Sequence, residues 1–516
     1  MSNSGEHIRY RHESVRQEES SDTEGRFTAV AEQLLELEPA GHLKTPDVIN
    51  PPFRRQAWIK VDTMPQAVLF ADTHLMPAIS SQDPRSRMSS TKRYAFNFSA
   101  VPGVASLTRW NDLATRVGLH LARKQMEEAL TTADIMGSLG DNFDAYGVEG
   151  FLETMAYTED YVTRRFANAD RDDRPGYFSI VAGNHDMATR VNCPEAVAGY
   201  MGLRKQQLAK TTFDAMVALA EKGYSMHTLH TMWKEAAEGD RTEPYKLLPA
   251  ERWFLQRLYT GPEIGAFEKR NNDGSATVVA FLNSEFGREG CTLQDLCETV
   301  EMDLGREADD ETGRKMIETY ASDIGRQRAV IDGLMETLVS HADSRAVVYT
   351  HNPVMMQQEL IRELIAHDGE RFATFEEARE FVTKRILTIG GHYHLKEHLP
   401  SDAEGIYMVN GFSRQVVSMI AEGPRRSWYG TRFRLRAYSD PDDYAEFLFG
   451  ALDDPQTARI TGAEITGKLD AVRRDLKSRL LGKAARAVAR MWQAADYQQR
   501  EGQSELELDP QSSGLD

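Results

Sequence analysis

Ser179-Ile180-Val181-Ala182-Gly183-Asn184-His185-Asp186-Met187 joins a short apolar run to a turn crowded with polar groups. Phe178, Ile180 and Val181 read as a buried strand. Gly183 permits a sharp turn, because it has no Cβ to clash. Beyond it, Asn184 offers a neutral carbonyl oxygen to a metal. His185 can exchange a proton near neutral pH, and Asp186 is placed to orient that imidazole. Alone, these residues are equally well a turn with a capping Asn or Asp.

The same pattern recurs along the chain. Apolar residues 67–71 run into Asp72-Thr73-His74, and 133–139 lead into Gly140-Asp141-Asn142-Phe143-Asp144. Residues 277–282 precede Asn283-Ser284-Glu285, and 346–349 precede Thr350-His351-Asn352-Pro353. Residues 386–389 end in Gly390-Gly391-His392-Tyr393-His394. Helical spacing lies between: 107–131, 148–169 with Phe151, Leu152, Met155 and Phe166 on its apolar face, several helices in 188–260, then 291–342 and 355–384. Strands alternating with helices predict α/β layers. In such sheets ligands sit outside the carboxyl ends of the strands.

After His394 the pattern turns to β, over 406–409, 415–420 and 431–438, with Asn410-Gly411 as a hairpin signal. Residues 1–25 read as a disordered segment, rich in Ser, Glu, Arg and Gly. Phe27, Val30, Ala31, Leu34 and Leu35 then form a helix expected on the outside of the body. The expected organisation is a main domain over 26–440, with 188–260 as a helical insertion and candidate cap. A helical extension over 441–499 and an acidic disordered tail over 500–516 follow it. No internal repeat is visible.

Composition narrows the class. The net charge of −18 argues against a surface coated for nonspecific DNA binding. Cys193, Cys291 and Cys297 form no C-x-x-C pair, so neither a disulfide framework nor a cysteine zinc site is expected. No signal-type apolar segment opens the chain and no run of about 18 apolar residues occurs. The expectation is a soluble cytoplasmic protein with no membrane partner.

The strand-end groups are Asp72, His74, Asp141, Asn184, His185, His351, His392 and His394. Imidazole, carboxylate and amide oxygen suit one or two divalent transition metals. Asp72 and His74, two apart in a loop, can turn to one ion. His392 and His394 suit one imidazole on each of two neighbouring ions, and Asp141 has two oxygens with which to bridge them.

The series D-x-H, G-D-x-x-D, G-N-H-D, H and G-H-x-H resembles the calcineurin-like metallophosphoesterase superfamily, and it runs from Asp72 to His394. The resemblance implies a four-layer sandwich of two mixed β-sheets flanked by helices, with the β-rich part after His394 in the second sheet. It implies a hydrolase with two divalent ions, Mn, Fe or Zn. One ion would be held by Asp72, His74, Asp141 and His394, the other by Asp141, Asn184, His351 and His392. His185 would protonate the leaving oxygen or stabilise the phosphoryl charge, with Asp186 supporting it and Asp144 in a supporting place.

Departures from the family narrow the substrate. Asp144-Ala145-Tyr146-Gly147 lacks the Arg that phosphoprotein phosphatases carry there, and the third motif ends in Asp186 instead of Glu. The pattern looks more like the phosphodiesterase and nuclease branches, with a nucleotide or nucleic acid as substrate. Alternatives are a phosphomonoesterase on a metabolite or phosphoprotein, and an inactive scaffold binding a protein partner. The scaffold is disfavoured because every ligand position and His185 are filled. Arg432, Arg434 and Arg436 share one strand face, and Arg473, Arg474, Lys477, Arg479, Lys483, Arg486 and Arg490 make the C-terminal helix basic. Phosphate contact is one reading of both, and a solvated face is the commoner one. His227 and His230 likewise read first as ordinary helix residues. Sequence does not give the oligomeric state.

Overall fold

The computed structural model describes residues 22–50, 52–72, 133–142, 148–169, 176–184, 186–187, 208–238, 245, 247–286, 297, 310–392, 405–409, 417–421 and 433–437. Eleven strands appear among them: β1 (Trp58–Lys60), β2 (Ala67–Phe70), β3 (Ile135–Ser138), β4 (Tyr177–Ile180), β5 (Gly265–Arg270), β6 (Ala276–Phe281), β7 (Arg345–Tyr349), β8 (Ile386–Gly390), β9 (Ile406–Met408), β10 (Val417–Ala421) and β11 (Phe433–Ala437). They form a six-stranded sheet, β1-β5-β6-β7-β8-β9, and a five-stranded sheet, β11-β10-β2-β3-β4. Both are mixed. β6 to β9 are parallel, with β5 antiparallel to β6. β2, β3 and β4 are parallel, with β10 antiparallel to β2 and β11 to β10.

Alternation along each strand builds the layers. Leu69, Ile135, Val181, Val279, Phe281, Val347, Tyr349, Leu387 and Ile389 form one buried cluster between the two sheets. Their neighbours Val68, Phe70, Met136, Phe178, Ile180, Val278, Ala346, Val348 and Ile386 fall in a second cluster with helical residues such as Phe151, Leu152, Met155 and Leu334. Strands covered on both faces read as continuous apolar runs, and this is why they stand out in the sequence. The helices Glu311–Ser340, Pro353–His367 and Phe375–Arg385 lie on the six-stranded sheet. The result is the expected two-sheet sandwich flanked by helices.

Three expectations change. The β-rich part after His394, expected in the second sheet, is divided: β10 and β11 join the five-stranded sheet beside β2, while β9 extends the six-stranded sheet beside β8. The first helix, Asp22–Glu36, begins inside the stretch expected to be disordered. Glu24 explains it, since its buried carboxylate accepts from the Ala209 N–H at 2.7 Å and the Thr212 hydroxyl at 2.9 Å. β1 and β5 are strands that periodicity alone did not indicate.

Within 188–260, the described helices are Lys210–Glu221, Met226–Ala236 and Pro249–Thr260. The first two pack on Asp22–Glu36, Met226–Ala236 also packs on Val148–Asn168, and Pro249–Thr260 reaches β4. Phe27 and Trp233 meet there with ring centroids 5.4 Å apart. The helix expected over 107–131, the C-terminal helix and the acidic tail lie outside the described residues. Among the described residues, no helix is long and apolar enough to cross a membrane.

Leu387 is fully buried between the sheets. Leu387→Ala is expected to cost about 2–5 kcal/mol in denaturant unfolding. Leu37→Ala, at a side chain 59% exposed, is expected to stay within about 0.5 kcal/mol. Equal losses at the two positions would contradict a core shared by the two sheets.

Candidate metal centre

Five parallel strands deliver the predicted ligands. Asp72 follows β2, Asp141 follows β3 and Asn184 follows β4 in one sheet, while His351 follows β7 and His392 follows β8 in the other. The two sheets present these ends to one another. His351 Nε2 lies 3.0 Å from Asn184 Oδ1, 3.1 Å from His392 Nδ1 and 3.3 Å from Asp141 Oδ2. His392 Nδ1 is also 3.0 Å from Asn184 Oδ1. Asp72, Asp141 and His351 are almost wholly buried. Asp72 accepts the His392 backbone N–H at 2.9 and 3.0 Å through its two oxygens.

His351 Nδ1 is 2.9 Å from the carbonyl oxygen of Leu139. A carbonyl only accepts, so Nδ1 carries the proton, and in a neutral imidazole Nε2 is then a lone pair. That lone pair faces an amide oxygen and a carboxylate, and His392 Nδ1 can offer at most one N–H to the group. Burial disfavours charge on His351, yet Asp141, with help from Asp72 and Glu285, outweighs it and raises its pKa to about 9. The carboxylates that would hold a proton there would equally hold a cation. Asp141, His351 and His392 offer ligand atoms that all lie within 4.8 Å of one another. The donor set of carboxylate, amide oxygen and imidazoles fits a divalent transition metal.

The backbone is bent to make this possible. Among the described residues, those other than glycine with left-handed φ are Asp72 (50°), Asp141 (51°) and His392 (73°). All three are predicted ligands. Asp and His enter that region more readily than most side chains, but each such residue still costs on the order of 1–3 kcal/mol. Glycines let the loops close in. A Cβ on Gly183 would collide with Asp141 Oδ1, and one on Gly391 with Asp72 Oδ2.

Asp186 is fully buried and ties two motifs together. Its carboxylate accepts from the Gly183 N–H at 2.9 Å, the Asn142 N–H at 3.1 Å and Asn142 Nδ2 at 3.0 Å. Burial, and then the charge of Asp141, raise its pKa. Asn142 is the residue that motif reading passed over. It stands at an unassigned position of G-D-x-x-D, bonded to Ser138 on one side and Asp186 on the other. Asn352 was also missed. Its side chain caps the helix Pro353–His367 by accepting from Met355 N at 3.1 Å, a signal that Asn-Pro before a helical run does carry.

His74, Asp144, His185 and His394 lie outside the described residues, so four of the predicted metal ligands besides Asp72 are brought together here. The support expected from Asp186 to His185 is outside them too. His227 and His230 sit on Met226–Ala236 among the outer helices. Burial, then Lys234 and His227, lower the His230 pKa to about 4, which suits an ordinary half-buried helix residue.

Gly183→Ala is expected to weaken Mn²⁺ binding at least tenfold in calorimetric titration, because its Cβ displaces the Asp141 carboxylate. Gly325→Ala is the control, since a Cβ there has nothing within 4 Å. It is expected to leave binding unchanged and to add about 0.4–1 kcal/mol of stability. Equal Mn²⁺ affinity in the two variants would contradict the close approach of Gly183 to Asp141.

No family model matches the chain, and no curated protein matches it. Solved structures similar to it include the 5'-nucleotidase from Candida albicans SC5314, with 11% identity, 81% of this chain and 58% of that chain covered, and a TM-score of 0.27. The calcineurin-like phosphoesterase YfkN from Bacillus subtilis has 9% identity over 80% of this chain and 99% of that chain, with a TM-score of 0.24. The Thermus thermophilus sulfate thiohydrolase SoxB has 13% identity over 79% of this chain and 62% of that chain, with a TM-score of 0.20. The chain thus spans less than two thirds of the nucleotidase and of the thiohydrolase. At TM-scores this low, nothing about activity passes from these proteins to this one.

Proposed function

We propose that the chain is a metal-dependent phosphoesterase of the calcineurin-like superfamily, hydrolysing a phosphodiester in a nucleotide or nucleic acid. One observation carries the reading: Asp141, Asn184, His351 and His392 converge from two sheets, with ligand-type oxygen and nitrogen atoms 3.0–3.3 Å from His351 Nε2. These four would hold one divalent ion. Asp72, His74 and His394, with Asp141 shared, would hold a second. Mn, Fe or Zn suits the mixture of imidazole and carboxylate. When bound, such ions supply a hydroxide nucleophile at neutral pH and offset charge on the phosphoryl oxygens.

The chain's own residues do the rest. The Leu139 carbonyl fixes the tautomer of His351 and turns Nε2 inward. Asp186 holds the Gly183 turn that carries Asn184. His185, next to a ligand in sequence, would deliver the proton that the leaving oxygen needs. Phosphoryl transfer asks for positioning and charge neutralisation more than for covalent chemistry. The diester preference follows from the residues after Asp144, which lack the phosphoprotein phosphatase Arg, and from a third motif ending in Asp186.

Chelator-stripped protein is expected to be inactive, and Mn²⁺ to restore hydrolysis of bis(4-nitrophenyl) phosphate above that of 4-nitrophenyl phosphate. Full activity after stripping would end the metal-dependent reading, and faster monoester turnover would end the diester one. His185→Ala is expected to keep its metal and lose roughly 10²–10⁴ in turnover on esters with poor leaving groups. The loss should be smaller on nitrophenyl esters, whose leaving oxygen needs little protonation. Equal losses on both, or recovery with added metal, would remove the acid role from His185.

A further inference from the structure

A second polar cluster surrounds a cavity of about 30 Å³ under the helix Pro249–Thr260, against the ends of β4 and β6. A space of that size takes about one or two water-sized guests. None of the residues lining it is a predicted metal ligand. Gln256 lines it from the helix and Glu263 from the segment just beyond the helix end. Gln256 is only 3% exposed. Its Oε1 and Glu263 Oε1 are both buried and have no hydrogen-bond partner. Buried polar atoms are nearly always paired, so two orphaned oxygens lining one small cavity point to a missing guest.

The charges around the cavity fix the sign of that guest. Asp323 is committed: its two oxygens accept from Arg257 Nε at 2.7 Å and Nη2 at 2.9 Å. That pair is neutral. Arg54 stands on the exposed side and donates to the Leu258 carbonyl at 3.5 Å. Arg257, Asp323 and Arg54 are the charged groups felt at Glu263. Burial raises the Glu263 pKa to about 8, outweighing the Thr260 hydroxyl and Arg257. An anion would meet acceptor oxygens. A divalent ion would bring more charge than one spare carboxylate returns, beside Arg257. We propose that this cavity is a site for a monovalent cation, K⁺, held by Glu263 Oε1 and Gln256 Oε1. K⁺ parts with its water more readily than Na⁺, which suits a site with few protein oxygens. The ion lies against Val181 and Ala182, which lead into the Gly183 turn, and so firms the end of β4.

The full chain, freed of divalent metal with the tetramethylammonium salt of a chelator, is melted in KCl and in tetramethylammonium chloride of equal ionic strength. Tetramethylammonium is too large for the cavity. At about pH 9, where Glu263 is ionised, K⁺ is expected to raise the thermal midpoint by about 2 °C or more. At about pH 6 a proton occupies Glu263, so the rise is expected to shrink. Glu263→Gln keeps the shape without the charge and is expected to lose the rise. Gln256→Met removes the amide oxygen at similar volume and is expected to lose most of it. Crystals soaked in Rb⁺, a stand-in for K⁺, are expected to show an anomalous peak between Glu263 and Gln256. Equal wild-type midpoints in the two salts at about pH 9 overturn the proposal, as does a rise that survives in Glu263→Gln. Should that variant fail to fold, an undiminished rise in Gln256→Met overturns it instead. Rb⁺-loaded crystals with no peak in the cavity also overturn it, leaving a protonated Glu263 and water as its contents. Divalent metal is absent from the melts, so their outcome is independent of the phosphoesterase reading.

Discussion

His351 Nε2 sits within 3.3 Å of a carboxylate oxygen, an amide oxygen and a second imidazole nitrogen, while its other nitrogen is committed to a backbone carbonyl. Lone pairs turned on one another in a buried site are repulsive unless something positive stands among them. A proton on Nε2 is one answer and a divalent cation is another. Much else in the molecule serves to keep these groups together. The strands bring them to one edge, the glycines let the loops approach, and Asp186 and Asn142 lash two of the loops to each other.

The same site shows where the fold gives up local comfort. Left-handed backbone at Asp72, Asp141 and His392 is a cost that neither sheet needs for its own pairing. It is borne by five parallel strands whose alternate residues pack against the opposite sheet or the outer helices. A rigid sandwich is what holds these polar groups within hydrogen-bonding distance of one another in a dry interior. Asp186 illustrates the trade. Its burial raises its pKa, yet three N–H donors fix it where it can brace the turn before Asn184.

Much of this was legible in the sequence. Val347, Val348 and Tyr349, like Leu387 and Ile389, belong to strands buried on both faces, so they appear as continuous apolar runs ending in His. β5 was missed because Gly265-Ala266-Phe267-Glu268-Lys269-Arg270 carries charge at half its positions. Glu268 is nonetheless buried and accepts from the Trp58 indole at 2.7 Å. The signal that was there is Asp273-Gly274, the turn of the β5–β6 hairpin. The division of β9, β10 and β11 between the sheets is a tertiary outcome with no local signature. The Leu139 carbonyl that orients His351 is a backbone atom, invisible to any motif.

A cation among Asp141, Asn184, His351 and His392 is the central requirement of the proposed function. Anomalous diffraction from Mn²⁺-loaded crystals measures that directly. The expected result is a strong peak bounded by those four side chains, with a second peak on the Asp72 side of Asp141. Crystals that are fully loaded yet show no peak between His351 and Asn184 would contradict it.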